Sequence, residues 1–337
     1  MTKKKRIVLI DADILSFRTS AICETRGVEV LHNKTKRTKI FKNRTEFKDF
    51  LKVKEFEYIE QDYTFKDVQT PNDDLSYSFL LTNQMKSLKE RLWWDEVRLL
   101  IAGNTNFRDN LPLPKKYKGN RDGTLKPLFR QECKNFLIGK YKAEVVEGCE
   151  VDDALIYLGY EYLNKGDEVV IVSNDKDSLA YSGLKIYDYT KDGAEIVELP
   201  KLGSLWLDNK GKVRGNGFLH YCHQMKIGDL TDGYKPTDLT IPKISYGEKS
   251  SYDALKDCTS EQEALQLVIG KYIQWYPKEF VYVDCFGIEH KATWKDMIRL
   301  YHRCVRMKET KDDILSFNDF ALKYGIDLDN YVEETNE

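Results

Sequence analysis

The stretch from Glu147 to Tyr181, EGCEVDDALIYLGYEYLNKGDEVVIVSNDKDSLAY, decides how the rest of the chain is read. A carboxylate triplet, Glu150, Asp152 and Asp153, opens a helix whose apolar stripe is Val151, Leu155, Ile156, Leu158 and Leu163. Gly166 breaks that helix, and a buried strand from Glu168 to Val172 then ends on Ser173-Asn174-Asp175-Lys176-Asp177. Acidic groups therefore fall at both element ends, where an α/β sheet presents its ligand crevice. Asp152 and Asp153 in a first turn are favoured by the helix dipole. Five carboxylates gathered at a strand end repel one another unless cations neutralise them, and oxygen-only donors select hard ions such as Mg²⁺ or Mn²⁺. Helix capping and a turn would account for each acidic set singly.

Working outward, Ile7 to Ile10 is a continuous apolar strand ending on Asp11-Ala12-Asp13, and Val97 to Ala102 is a second buried strand. A hairpin around Val28 and Val30 leads to a basic arm, Lys34 to Arg44, and Asn43 is placed to cap a short helix bearing Phe47, Phe50 and Leu51. Residues 55–76 show weak periodicity and are expected to be irregular. Phe79 to Trp94 is expected to be helical. The segment Asn106 to Gly123 combines Pro, Gly and Asn with Arg108, Lys115, Lys116, Lys118 and Arg121, as in a phosphate-facing loop, and Tyr117 offers a face for base stacking. Strands alternating with helices predict an α/β fold with a mainly parallel sheet flanked by helices. Towards the C-terminus the chain turns helical. Gly228-Asp229-Leu230-Thr231-Asp232-Gly233 forms a third acidic element, and Gly247, Lys249 and Ser250 lie at a helix start suited to one phosphate.

Composition bounds the function. The net charge of −2 hides a strong asymmetry: residues 1–54 hold 15 Lys and Arg against 6 Asp and Glu, and residues 105–145 hold 10 against 4. Residues 55–100 and the tail from 311 to 337 run the other way, with 5 against 10 and 2 against 8. Basic zones beside an acidic centre suit an enzyme acting on a phosphodiester backbone. Seven cysteines without a C-x-x-C pair point to reduced thiols in a cytoplasmic compartment and give no zinc site, and no apolar run is long enough for a membrane.

Taken in order, LIDAD, NFR with YKGNRD, EVDDALIYL, VSNDKDSL, KIGDLTDGY and SYGEKS resemble the 5′-nuclease family, the bacteriophage 5′→3′ exonucleases and flap endonucleases and the 5′-nuclease domain of bacterial DNA polymerase I. The resemblance implies a PIN-like core with a helical arch, a divergent helix-three-turn-helix, and hydrolysis of DNA with two Mg²⁺ or Mn²⁺ ions to leave 5′-phosphates. It implies Asp11, Glu150 and Asp152 at a first metal, and Asp153, Asp175, Asp177 and Asp232 at a second with Asp229 beside them. Lys118 and Arg121 match the residues that act on the scissile phosphate. Arg108, Lys115, Lys116 and Tyr117 would face DNA, and Gly247, Lys249 and Ser250 would grip a duplex phosphate where the family often also holds K⁺. The substrate would be duplex DNA with a 5′ end or flap, with RNA/DNA hybrids as a further class, in the cytoplasm, that of a host cell if the chain is phage-encoded. A nuclease core over 1–200 and a helical DNA-binding region over 201–337 would follow. The family's second-strand aspartate is missing, since Ala102-Gly103-Asn104 stands there; either the first metal is held more loosely or Asp13 substitutes, as it can if the chain stays extended through Ala12, whereas a turn at Ala12 would make Asp13 a helix cap. Two rivals remain: a DNA-binding homologue that has lost catalysis, and a haloacid-dehalogenase-like phosphatase, which would use Asp11, Asp13, Ser173 and Asp229 but leaves EVDD and YKGNR unexplained.

Overall fold

The structure, a computed structural model, describes residues 4–240 and 242–331; the ends of the basic N-terminus and of the acidic tail lie outside the described residues. The chain begins with β1 (Arg6–Asp11), whose Ile7, Val8, Leu9 and Ile10 are all fully buried. It then passes directly into α1 (Ala12–Ile22), β2 (Glu24–His32), β3 (Thr38–Phe41), α2 (Arg44–Val53), β4 (Tyr63–Pro71) and α3 (Tyr77–Leu92). After β5 (Glu96–Asn106) come α4 (Arg130–Tyr141), β6 (Glu144–Gly148), α5 (Val151–Asn164), β7 (Glu168–Val172), β8 (Lys185–Tyr187) and β9 (Ile196–Glu198). The remainder is β10 (Ser204–Leu207), β11 (Val213–Asn216), α6 (Gly217–Ile227), α7 (Glu248–Leu255), α8 (Glu261–Trp275), β12 (Phe280–Val283), β13 (Glu289–Ala292), α9 (Trp294–Val305) and α10 (Phe317–Leu322).

The chain divides into two compact units. One takes the chain up to Asp11, Leu92–Asp122 and everything from Ala143; the other takes Ala12–Arg91 and Gly123–Lys142. The boundary expected at residue 200 is not where the units part, because one apolar core runs from Ile7 to Leu328 on both sides of it.

The first unit is built on a six-stranded sheet of order β6-β5-β1-β7-β8-β9, parallel except for β9. From β1 the chain moves to β5 and β6 on one side and then returns to β7 on the other. The order therefore reverses beside β1, and an open α/β sheet binds its ligands at the carboxyl ends of strands at such a point. In the second unit β2 pairs antiparallel with both β3 and β4. The region 55–76 is thus not wholly irregular: Tyr63–Pro71 pairs with β2 along its whole length. Its half-exposed, polar-rich residues conceal the alternation that marks a strand. Asn43 caps α2 as expected, its side chain accepting from Glu46 N at 2.8 Å. The stretch Asn106–Gly123 is a loop, as expected, and contains two 3₁₀ turns, Phe107–Asn110 and Gly119–Arg121. No helix among the described residues is long and apolar enough to cross a membrane.

One buried ion pair ties the first unit together. Arg108 is fully buried and donates from Nη1 and Nη2 to Asp153 at 2.5 and 3.1 Å. It also donates to the carbonyls of Cys304 and Arg306 at 3.3 and 2.8 Å, so it reaches no nucleic acid, contrary to expectation. A charge alternating with loop residues reads as exposed in sequence; here a carboxylate on α5 and the carbonyls at the end of α9 draw it inward. Removing one partner of such a pair strands the other charge. Arg108→Met is expected to lower stability by about 3–5 kcal/mol in urea denaturation, and Arg108→Met with Asp153→Leu should recover much of that loss.

Candidate metal centre

Asp11 ends β1 and is buried; Asp175 and Asp177 follow β7. Asp175 shapes its own turn, with Oδ1 accepting from Asp177 N at 2.9 Å and its N–H donating to Ser173 Oγ at 3.1 Å. Asp229 and Asp232 come from the segment between α6 and α7. A short bridge between Asp229 and Tyr234 closes that turn, and Asp229 Oδ1 accepts from Thr231 N at 2.6 Å. Gly228 makes the turn possible, having φ of 72° and a place where a Cβ would lie 2.5 Å from the Tyr234 carbonyl oxygen.

Asp152 and Asp153 are neighbours on α5 but have different surroundings. Besides Arg108, Asp153 accepts from the backbone N–H of Glu150 and of Lys308, both at 3.0 Å, which leaves its oxygens fully engaged. It is a structural residue of the core in place of the expected metal ligand. Asp152 has the opposite environment: Oδ1 is buried and has no hydrogen-bond partner. Burial, and then the charges of Asp175, Asp11, Glu150 and Asp177, push its pKa well above the ordinary carboxylate range. Asp177, Asp229 and Asp232 form a second gathering, each offering one oxygen within 4.8 Å of the others. Burial and the neighbouring Asp175 push Asp177 up to about 8.

Protein cations meet part of this charge. Lys118 pairs with Glu150, Arg121 Nη2 donates to Asp232 Oδ1 at 2.7 Å, and Lys176 Nζ reaches Asp229 Oδ2 at 2.7 Å. Burial tends to raise the pKa of Asp229, but the bond and charge of Lys176 win and hold it below its usual value. Asp232 is raised by burial, with Lys118 opposing. Lys118 itself has φ of 54°, uncommon for a side-chain-bearing residue, and its N–H is fixed by the Asp232 carbonyl at 2.7 Å. Sequence reasoning missed Lys176, although it stands between two assigned aspartates, and Gln224, which donates to Asp177 Oδ1 from the buried face of α6.

Other expectations are redirected. Tyr117 is buried, stacked on Tyr234 with centroids 6.2 Å apart, and its hydroxyl donates to Asp232 at 3.0 Å, so it offers no face to a base. Lys115 and Lys116 are exposed and pair with Asp238 and Asp122, both at 2.8 Å. Gly247, Lys249 and Ser250 are exposed at the start of α7. Asp13 does not share the face of Asp11, because extended chain ends at Asp11 and the helix starts at Ala12; Asp13 pairs with Arg130 and Lys134 of α4 within its own unit, at 3.4 and 2.6 Å. Near Gly103 a carboxylate is present after all, but from β6. A Cβ at position 103 would lie 2.2 Å from Glu147 Oε1, and Glu147 accepts from Asn104 N and Thr105 N at 3.0 and 3.1 Å.

No family model matches the chain, and no curated protein matches it. The chain is similar to solved 5′-nuclease structures. One is the T5 5′-exonuclease with divalent metal ions (zinc) bound, at 14% identity and a TM-score of 0.44, covering 78% of this chain and 83% of that one. Another is a bacteriophage T5 flap endonuclease pseudo-enzyme–product complex with DNA and metal ions, at 12% identity and a TM-score of 0.44, covering 78% of this chain and 88% of that one. A likeness at this identity and score assigns no chemistry to the present chain.

The raised Asp177 has a measurable consequence. A carboxyl group whose pKa rises from 3.8 to about 8 on folding is protonated in the folded state and ionised in the unfolded state across that interval. Its contribution to stability is therefore fully present below the unfolded pKa and lost as pH rises through the folded one. In chelator, the melting temperature is expected to fall between pH 4 and pH 8 by less in Asp177→Asn than in the unmodified protein. Thermal melts across that range check this, and equal slopes would remove Asp177 from the account.

Proposed function

We propose that the chain is a metal-dependent nuclease that hydrolyses DNA phosphodiesters at a 5′ end or flap and leaves 5′-phosphates. The observation that supports this reading most is the orphaned Asp152 Oδ1, a buried oxygen without a hydrogen-bond partner on a carboxyl group that feels the charges of Asp175, Asp11, Glu150 and Asp177. A buried carboxylate with no donor, in a donor set made only of carboxylate oxygens, fits hard divalent cations such as Mg²⁺ or Mn²⁺. Asp11, Glu150, Asp152 and Asp175 would hold one ion, and Asp177, Asp229 and Asp232 the other. Two such ions supply Lewis acidity and a water of lowered pKa for in-line displacement at phosphorus.

The chain's own residues divide the remaining tasks. Lys118 and Arg121 are held at the rim by Glu150 and Asp232, and both carry donors able to meet a phosphate oxygen as charge develops on it. Asn106 Nδ2 steadies Glu150 at 3.2 Å, and Gln224 steadies Asp177. Lys176 balances Asp229. The exposed turn at Gly247, Lys249 and Ser250 would take a duplex phosphate, and K⁺ would be sought there. Hybrid substrates with an RNA strand belong to the same reading. The phosphatase alternative needs Asp11 and Asp13 on one face, and the helix beginning at Ala12 disfavours it.

Cleavage of a 5′-labelled flap duplex in Mg²⁺, with products sized and end groups identified, tests the proposal directly. Binding without any metal-dependent cleavage would instead identify a homologue that has lost catalysis. Asp177→Asn and Asp232→Asn should each abolish turnover while leaving DNA binding intact, since each removes a metal ligand and keeps the shape of the side chain. At saturating enzyme, Lys118→Ala and Arg121→Ala should each lower the single-turnover rate by roughly 10²-fold. A loss confined to affinity would make them positioning residues.

A further inference from the structure

The second unit carries a surface that the metal centre does not use. Its helix α2 and its sheet share a small core of their own, made by Phe41, Phe47 and Leu51 with Val28 and Val30. Beside that core lies a cavity of about 630 Å³ whose walls include Phe50, Phe56, Arg37 and Lys39. Phe56 is 62% exposed, so it is not needed by the core. The adjoining segment Lys34 to Arg44 contains six Lys and Arg and no acidic residue, and all six side chains are exposed. Several of these cations lie over rings: Lys39 Nζ is 4.3 Å from the centroid of Phe50, and Arg44 is 5.2 Å from that of Phe65. Glu57 and Asp62 also line the cavity, and Asp62 is neutralised by Lys34 at 2.9 Å.

Accessible rings bordered by cations answer the two chemical faces of a single nucleic acid strand. Bases stack on rings without regard to sequence, and the cations follow the phosphates. In a duplex the base faces are already stacked on one another. An acidic peptide would use the cations but has no planar group for the rings. We propose that this face of the second unit binds single-stranded DNA, with a base against Phe56 and phosphates on Arg37, Lys39 and their neighbours, Lys39 being seated on the ring of Phe50. The choice of DNA rests on the nuclease reading.

The test is fluorescence anisotropy of the full chain with labelled oligo(dT) in EDTA, so that binding is read without cleavage. Phe56→Ala is expected to weaken binding roughly tenfold. Arg37→Ala with Lys39→Ala should reduce the slope of log K against log salt by about 1.4, since each phosphate left without its cation takes away ~0.7. Circular dichroism melts confirm that the variants are folded, and Phe50→Leu gives a second probe, removing the ring that seats Lys39 while keeping an apolar side chain. Unchanged affinity and slope in all variants would overturn the proposal. So would polyglutamate competing as well as oligo(dT) with no effect of Phe56→Ala, which would identify an acidic-protein surface. Mg²⁺-dependent cleavage by the unmodified chain is scored separately: a protein that binds through these residues without cutting refutes the nuclease reading alone, and one that cuts while its variants bind normally refutes this inference alone.

Discussion

The buried pairing of Arg108 with Asp153 fixes the start of α5, the helix that brings Glu150 and Asp152 to the metal centre. Asp153 accepts from both terminal nitrogens of Arg108 and from two backbone N–H groups, one at Glu150 and one at Lys308. These bonds fix the start of α5 against the turn after β5 and the chain after α9. Successive helix residues point about 100° apart, from 3.6 residues per turn. Once Asp153 faces the core, its neighbour Asp152 faces another way, where the charges of Asp175 and Asp11 act on it. Adjacent, chemically identical residues thereby take opposite roles, one satisfied and structural, the other left with an orphaned oxygen.

The same contrast organises the charge. Three carboxylates are met by partly exposed cations at the rim: Glu150 by Lys118, Asp232 by Arg121 and Asp229 by Lys176. Asp152 and Asp177 carry raised pKa values, burial being the leading cause for both and the charge of Asp175 the next. A fold that left these charges unmet would be better off with apolar residues in their place. Their presence is intelligible when the deficit is met by something that arrives from solution, and the rim cations are then available to whatever anion accompanies it.

Much of this was legible in the sequence. Continuous apolar runs identified β1, β5 and β7, because strands buried on both faces leave no polar alternation. The acidic motifs were found because they sit where those runs stop. What could not be read was the direction of individual side chains. Arg108 and Tyr117 lie among exposed lysines in a loop rich in Pro and Gly, and nothing in their spacing reveals that partners near residue 150 and beyond residue 230 turn them inward. Asp13 depended on whether the chain stayed extended through Ala12, a choice between two allowed backbone states that local sequence leaves open. The strand Tyr63–Pro71 went unseen because its pairing with β2, not its own pattern, makes it a strand.

Lys118 shows where the fold accepts local cost for position. A lysine at φ of 54° is less favourable than the same residue in an ordinary turn, by of order 1–3 kcal/mol at such sites. A glycine would relieve it, and Gly119 stands next in the chain, so the strain is not forced by a lack of flexible residues nearby. What the conformation achieves is a double attachment: the Lys118 N–H is held by the Asp232 carbonyl while its ammonium group reaches the Glu150 side chain. One residue thus spans the acidic turn between α6 and α7 and the start of α5, which supply carboxylates to both proposed ion sites. Replacing it with glycine would ease the backbone and sever that span, so at this position the requirement for a cation outweighs the preference of the backbone.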